Sequence, residues 1–161
     1  MKSVFTALTT LMLWLTLFTS CTQQELYFKY NKIENSNWYR DSLLNFTIDT
    51  IKVEQRGNYN LLLELTTTAL YPYRDIHLRI HHNLTDTIFD SDTIQYNVAD
   101  EYGRWLGTGV GSLRQLSLPY KSDVFIDTLR SYQIRITHIL NDDPLKGVEK
   151  VGLRIIKTAN S

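Results

Sequence analysis

The sequence predicts an all-β fold, an antiparallel β-sandwich of about 7–8 short strands, from two features of the chain. The first feature is alternation of apolar and polar residues, clearest where Ile76, Leu78 and Ile80 share one side of residues 74–82. One apolar and one polar face per strand is typical of antiparallel sheets with one side exposed to water. The second feature is turn residues, such as Arg56-Gly57-Asn58, that divide the chain into short runs.

The other predicted strands follow the same alternation in chain order. They cover residues 46–49, 59–66, 132–137 and 150–155. Residues 123–130 fit a short helix, but the apolar run at 124–126 suits a strand equally well. No segment after residue 21 carries an apolar stripe of helical period over three turns, and the sequence shows no internal repeat. We therefore predict a single β-sandwich domain over residues 38–161.

The first 21 residues have the organisation of a bacterial lipoprotein signal peptide. Lys2 gives a positive start, and residues 4–18 form an apolar or threonine-containing run. At about 15 residues this run is short for a membrane-spanning helix, which needs ~20. The segment Phe18-Thr19-Ser20-Cys21 then resembles a lipobox, with Phe18 in place of the commoner leucine. In a lipobox the cysteine thiol receives a diacylglyceryl group, and cleavage makes that cysteine the N-terminus.

These features predict a signal peptide over 1–20, lipid attachment at Cys21 and a lipidated N-terminus and tether over 21–37. Two or three acyl chains, at ~0.8 kcal/mol per buried methylene, would anchor the protein firmly to a membrane. Cys21 is the one cysteine of the chain, so an intramolecular disulfide is excluded. The alternative is an uncleaved N-terminal anchor in which the cysteine is incidental.

The charge balance argues against a nucleic-acid partner. The chain has 17 Lys and Arg residues against 17 Asp and Glu residues, and its formal net charge is zero. Proteins that bind nucleic acid normally carry a clustered basic surface. No polybasic stretch for anionic lipid is evident either.

The sequence predicts no catalytic residue, no cofactor and no metal site, and hence a protein that is not an enzyme. At ~3.3 Å per residue, His77 and His81 would lie about 13 Å apart on one strand face. Zinc ligands lie ~2 Å from one ion, and His82 would point to the opposite face, so we expect solvent-exposed strand histidines. No serine lies in a Gly-x-Ser-x-Gly elbow. A hydrolase would need carboxylates from distant strands to converge in one cleft.

Glycines cluster between Gly103 and Gly111 in a pattern that superficially resembles a phosphate-binding loop. Such a loop needs a helix N-terminus after it, whereas residues 113–118 have strand character. The favoured interpretation is a glycine-rich strand or bulge where backbone passes close to backbone or to an aromatic ring.

Three aromatic residues, Tyr71, Tyr73 and Trp105, are candidates for a partner or ligand surface. Aromatic rings can act as stacking platforms for sugars. This possibility underlies the alternative function, a carbohydrate-binding surface lipoprotein of a nutrient-capture system. An exposed flat platform would favour the alternative, and rings packed into the core would end it.

Aspartate followed by Ser or Thr and then an aliphatic residue recurs along the chain. This triplet resembles the periplasmic O-glycosylation motif of some gliding bacteria. The candidate acceptors are Ser42, Thr50, Thr87, Thr93 and Thr128. The alternative is composition, since Thr and Ile favour strands and Asp marks strand ends.

Three segments together carry a family resemblance. Trp38 and Asp41-Ser42 open the domain, Trp105-Leu106-Gly107-Thr108-Gly109 lies in its middle, and residues 145–155 (LKGVEKVGLRI) close it. With the lipobox, they resemble the gliding-motility lipoprotein family GldH. The resemblance implies an outer-membrane lipoprotein needed for gliding and linked to the type IX secretion machinery. It implies two kinds of partner, the membrane and other envelope or gliding-machinery proteins, and it implies no family active site. The acylated cysteine of the family corresponds to Cys21 in this sequence.

Overall fold

The computed structural model describes residues 25–49, 56–127 and 129–158. Within these ranges the chain is almost wholly β-structure, with one turn of 3-10 helix at Glu34–Ser36. The strands of this part of the chain are β1 (Glu25–Lys32), β2 (Asn37–Trp38), β3 (Leu44–Ile48), β4 (Gly57–Thr67), β5 (Asp75–His82), β6 (Asp90–Asn97), β7 (Arg114–Ile126), β8 (Tyr132–His138), β9 (Leu145–Lys146) and β10 (Val148–Lys157). The predicted all-β class is confirmed.

Two antiparallel four-stranded sheets make up the domain. Sheet I has the order β1-β10-β4-β7, sheet II has the order β3-β8-β5-β6, and β2 pairs with β9. On one side of the sandwich β1 lies beside β3, where Asn31 Nδ2 donates to the Asn45 carbonyl oxygen at 3.2 Å. On the other side β7 lies beside β6, where the Tyr96 hydroxyl donates to the Pro119 carbonyl oxygen at 2.6 Å. The predicted sandwich is therefore confirmed.

Side chains that alternate along the strands fill the space between the sheets. The buried residues of the two central strand pairs are Leu61, Leu63, Leu65, Leu153 and Ile155 in sheet I, and Ile76, Leu78, Ile80, Ile134 and Ile136 in sheet II. Burial of one such side chain stabilises the fold by about 1.5–3 kcal/mol. A one-residue slip of any of these strands would turn its apolar set towards water, so the core specifies the register.

Two sequence-based expectations need adjustment. The predicted tether over 21–37 is wrong from Glu25 onward, because Glu25–Lys32 is strand β1 and pairs with β10 at the edge of sheet I. This strand does not alternate strictly, since Phe28 and Lys29 are both exposed, and its pattern gave no period-2 signal. At residues 123–130 the strand alternative is correct, because β7 continues to Ile126.

The two ends of the sandwich differ in what they carry. We call the end at which β1 begins the near end. Strand β7 finishes there, with Ile126 opposite Gly57, and the β5–β6 and β7–β8 connections are at the same end. At the far end lies the 98–113 connection between β6 and β7. Strand β4, which has 11 residues, separates the two ends by about 35 Å at ~3.3 Å per residue. Within the described part of the chain, no helix is long and apolar enough to cross a bilayer.

Candidate functional site

The proposed lipid-attachment residue, Cys21, lies outside the described residues, as do Thr50 and Thr128. Strand β1 begins four residues after Cys21, at Glu25. Four residues of extended chain span at most about 14 Å. An acyl group at Cys21 would therefore hold the near end of the sandwich close to the membrane surface.

The aromatic surface expected from Tyr71, Tyr73 and Trp105 is not a flat platform. Tyr71 is only 4% exposed and packs in the core, and its hydroxyl donates to the Asp75 carbonyl oxygen at 2.7 Å. Burial raises the pKa of this phenol. Tyr73 and Trp105 are half-buried beside it, with ring planes tilted by 73° and 56° from the Tyr71 plane. The prediction that Tyr71 belongs to a partner or ligand surface is therefore wrong, because Tyr71 is a core residue. The three rings form no flat surface on which a sugar could stack, which argues against the carbohydrate-binding alternative.

Glycines of the 98–113 connection serve close backbone packing. A Cβ atom on Gly107 would lie 2.3 Å from the Gln115 carbonyl oxygen, and one on Gly109 would lie 1.9 Å from the Leu113 carbonyl oxygen. Backbone hydrogen bonds join Thr108 and Gln115 in both directions. The expected close approach of backbone to backbone is confirmed, but the segment forms isolated β-bridges rather than a strand.

The same connection presents apolar side chains to solvent at the far end. Val110 is 89% exposed at its tip, and Tyr102 and Leu106 are also largely exposed. Thr108 pairs with Gln115 of β7, and the Leu106 amide donates to the Val98 carbonyl oxygen, so the tip is carried on a hydrogen-bonded base. Exposed apolar groups on a braced loop form a surface suited to a protein partner.

The outer face of sheet I carries a second arrangement, which we call the outer-face cluster (Phe28, Tyr30, Glu64, Lys150 and Arg154). The Tyr30 ring lies over Gly152, and the Lys150 ammonium is 4.2 Å from the centre of the ring. The Arg154 guanidinium lies 4.5 Å from the centre of the Phe28 ring. Both cations and the glycine belong to the closing segment of the sequence, whose alternate residues thus interact with aromatic residues of β1.

A buried ion pair lies within the outer-face cluster. Glu64 is 1% exposed although it is on the solvent side of β4, because Tyr30 and Arg154 cover it. Arg154 Nε is 3.0 Å from Glu64 Oε1, and Ser117 Oγ donates to the same oxygen at 2.9 Å. A buried carboxylate needs such partners to compensate its lost hydration. Its role here is to tie three strands of sheet I together.

Asp92 joins the two sheets where β6 meets β7. Its Oδ2 accepts hydrogen bonds from Tyr120 (2.7 Å), Lys121 (2.8 Å) and His82 Nε2 (3.0 Å). Burial opposes ionisation of this carboxyl, but the bonds from Lys121, Tyr120 and His82 outweigh it and lower the pKa of Asp92 to about 2. This carboxylate is held permanently charged as an acceptor at neutral pH.

The expectation of solvent-exposed histidines is wrong for His82. Alternation turns its ring to the core side of β5, where it is 1% exposed and bonded to Asp92. His77 lies on the opposite face and contacts Asp75 at 3.0 Å. Among the residues that the structure describes, no group of three His, Cys, Asp or Glu side chains could hold a metal ion.

A second histidine, His138, is fully buried at the far end of β8. Its ring meets the Trp38 ring edge-on, with centres 5.3 Å apart. Burial lowers the pKa of His138, which keeps the imidazole neutral near pH 7. Neither buried histidine was identified from sequence, since a local pattern does not reveal which strand faces are covered.

Three candidate glycosylation residues fall within the described chain, and each is exposed. Ser42 lies in the turn between β2 and β3, Thr87 in the β5–β6 connection, and Thr93 on edge strand β6. Modification of these hydroxyls stays a prediction.

Comparison with known proteins shows the family. The model of the GldH lipoprotein family matches residues 25–155. A gliding motility lipoprotein GldH homolog of Christiangramia forsetii is 31% identical, covering 89% of this chain and 91% of that protein. Gliding motility lipoprotein GldH of Flavobacterium johnsoniae is 25% identical, covering 86% of this chain and 89% of that protein.

Among solved structures, a fructofuranosidase of Schwanniomyces occidentalis aligns with 86% of this chain and 35% of its own, at 10% identity. Its TM-score is 0.40, and a likeness at this level carries no argument. The family match spans the outer-face cluster, the glycine-rich connection and both sheets. The chain therefore belongs to the GldH lipoprotein family, a family of cell-envelope lipoproteins of gliding motility.

Proposed function

We propose that this protein is held at the outer membrane by acyl chains on Cys21 and acts there as a non-catalytic component of the gliding-motility and type IX secretion machinery. The observation that carries the proposal is the family match over residues 25–155, which begins four residues after the lipobox cysteine. Anchoring restricts the domain to a membrane surface. It thereby raises the effective concentration of the domain for partners in that membrane.

The arrangement of charged side chains supports a structural role. Asp92 is occupied by three donors that join the two sheets, and Glu64 is occupied by Arg154 and Ser117. A general acid or base works best with a pKa near the operating pH. The pKa of Asp92, at about 2, is far below that range. These two networks stabilise the sandwich rather than present a reactive group.

The partner surface that we propose is the far end of the sandwich. Tyr102, Leu106 and Val110 project from the 98–113 connection, about 35 Å from the anchored end. Exposed apolar side chains of this kind are suited to the desolvated centre of a protein–protein contact. A lipid anchor at one end and an apolar loop at the other would let the domain project towards envelope proteins of the machinery.

Two experiments in the native host test this function. Cys21→Ser should move the protein out of the membrane fraction, and retention there would contradict the anchor. Deletion of the gene should impair colony spreading or secretion of type IX cargo. Restoration by the intact chain and not by the Cys21→Ser variant would tie that phenotype to membrane attachment. Normal spreading and normal secretion after deletion would overturn the assignment to the machinery.

A further inference from the structure

The near end of the sandwich exposes large apolar side chains on the connections that end there. Ile88 is 75% exposed in the β5–β6 connection, and Leu129 is 87% exposed in the β7–β8 connection. Phe89, which follows Ile88, and Phe125, near the end of β7, are also exposed. Soluble domains seldom expose a group of large apolar side chains unless a protein partner or a membrane covers them.

The two connections that carry these side chains are joined to each other. Arg130 of the β7–β8 connection donates to the Leu84 carbonyl oxygen of the β5–β6 connection at 2.6 Å. Leu84, Phe125 and Arg130 line one cleft of about 510 Å³. The two loops therefore form one surface rather than two separate protrusions.

The chain outside the described residues indicates what covers this surface. Three strand spacings separate β1 from β7, so Glu25 lies about 14 Å across sheet I from the end of β7. Cys21 can lie no more than about 14 Å from Glu25. A lipid attached at Cys21 would thus place the bilayer surface within reach of both apolar loops.

We propose that Ile88, Phe89 and Leu129 dip into the interfacial layer of the membrane that holds the lipid anchor. Contact of the loops and insertion of the acyl chains would together fix the domain upright, with the 98–113 connection facing away from the lipid. This inference rests on the proposed lipid anchor at Cys21. It adds an orientation of the domain that the anchor alone does not impose.

Charge at the near end favours apolar insertion over electrostatic attraction. Asp86 and Asp127 lie on the same two connections as Arg130, and Asp90 begins β6, so the loops are not a basic patch. The Arg135 guanidinium lies 4.5 Å from the centre of the Phe89 ring, where its charge can stay in the headgroup region. The contact should therefore be indifferent to the fraction of anionic lipid.

Site-specific fluorescence on the lipidated protein in vesicles tests the orientation. Single cysteines are introduced as Ile88→Cys and Leu129→Cys, with Leu70→Cys and Val110→Cys at the far end as controls of matched exposure. Each thiol is labelled with an environment-sensitive fluorophore, and the vesicles are phosphatidylcholine with or without a nitroxide-labelled lipid. The parent protein, whose sole cysteine is Cys21, is treated with the same thiol reagent.

Quenching at positions 88 and 129 should be at least about two-fold greater than at positions 70 and 110, because interfacial side chains lie ~5–10 Å deep. Equal quenching at the four positions, or greater quenching at 70 and 110, would overturn the proposal. The fluorophores at positions 88 and 129 could instead become shielded from water as the protein density rises, without being quenched by the nitroxide lipid. That result would indicate contact with a second copy of the protein and would also overturn the proposal. Labelling of Cys21 in the parent would instead refute the lipid anchor, which separates the two failures.

Discussion

The ring of Tyr30, on the edge strand of sheet I, lies directly over Gly152 of the neighbouring strand. A Cβ atom at position 152 would come within 2.7 Å of two carbons of that ring. The Tyr30 hydroxyl accepts a hydrogen bond from Gln115 Nε2 (3.1 Å) on β7, at the opposite edge of the sheet. The Tyr30 and Gln115 side chains together bridge the four strands of sheet I, and the glycine leaves room for the ring.

Gly152→Ala should destabilise the domain by about 1–3 kcal/mol, because the new methyl group displaces the Tyr30 ring from the sheet. The measurement is the midpoint of denaturant unfolding. Gly57→Ala is the matched control, since the nearest heavy atom to its Cβ would be 4.0 Å away. The losses from Gly152→Ala and Tyr30→Ala should be less than additive in the double variant. Full additivity would show that the ring and the glycine act independently.

Asp92→Ala should lower the free energy of unfolding by about 1–3 kcal/mol, because His82, Tyr120 and Lys121 lose the acceptor that they share on a partly exposed carboxyl. Asp90→Ala, a control at an exposed position at the start of the same strand, should change the free energy of unfolding by no more than about 0.5 kcal/mol. The pKa of Asp92 is lowered in the folded state, so its contribution is present above pH 3.8 and is lost as the pH falls towards 2. The measurement is the free energy of unfolding of wild type and Asp92→Ala between pH 7 and pH 2. If both proteins lost the same amount of stability over this range, the assignment would be contradicted.

His138 should make the domain less stable in mild acid. Its folded pKa lies below the ordinary value of 6.5 because of burial, while Asp143 opposes this effect and Arg40 adds to it. The unfolded chain therefore takes up a proton first, and stability falls as the pH drops below about 6.5, by at most about 1.4 kcal/mol per pH unit. His138→Phe, measured by thermal unfolding between pH 8 and pH 5, should remove this slope. A slope unchanged in the variant would assign the acid sensitivity to other groups.

Val110→Glu should abolish partner contact and leave the domain folded in the membrane fraction, because this side chain is 89% exposed. Thr47→Glu, the same change in charge at an exposed position of β3, is the control. We expect impaired colony spreading for Val110→Glu and normal spreading for Thr47→Glu, at equal protein levels. Normal spreading by both variants would remove the far end as the partner surface.

Glycosylation is decided by the intact mass of the mature protein from its native envelope. Ser42, Thr87 and Thr93 are exposed, so glycan attachment would not disturb the core. Modification should add hexose-sized increments to the mass of polypeptide plus lipid, and Thr87→Ala or Thr93→Ala should each remove one if its hydroxyl is used. A native mass equal to polypeptide plus lipid would end the prediction.

Local patterns were sufficient for the strands that have one buried face. The alternation of Ile76, Leu78 and Ile80 predicted β5 correctly, because burial of every second side chain is imposed by the pleat of the strand. The antiparallel class followed from the polar opposite faces. The close backbone approach of Gly107 and Gly109 was also predictable, since glycine tolerates contacts that a Cβ atom would block.

Tertiary structure alone decided which strands are neighbours and which side chains meet. Strand β1 pairs with β10, more than 110 residues away in sequence, and its irregular pattern concealed it. The burial of Tyr71 and His82 depends on which elements cover them, and no local pattern encodes that. The sequence by itself determined the class of fold and the alternating core, and it predicts the lipobox. The Tyr30–Gly152 contact, the Asp92 network and the two apolar ends arise from long-range pairing, because they join residues that only the folded chain brings together.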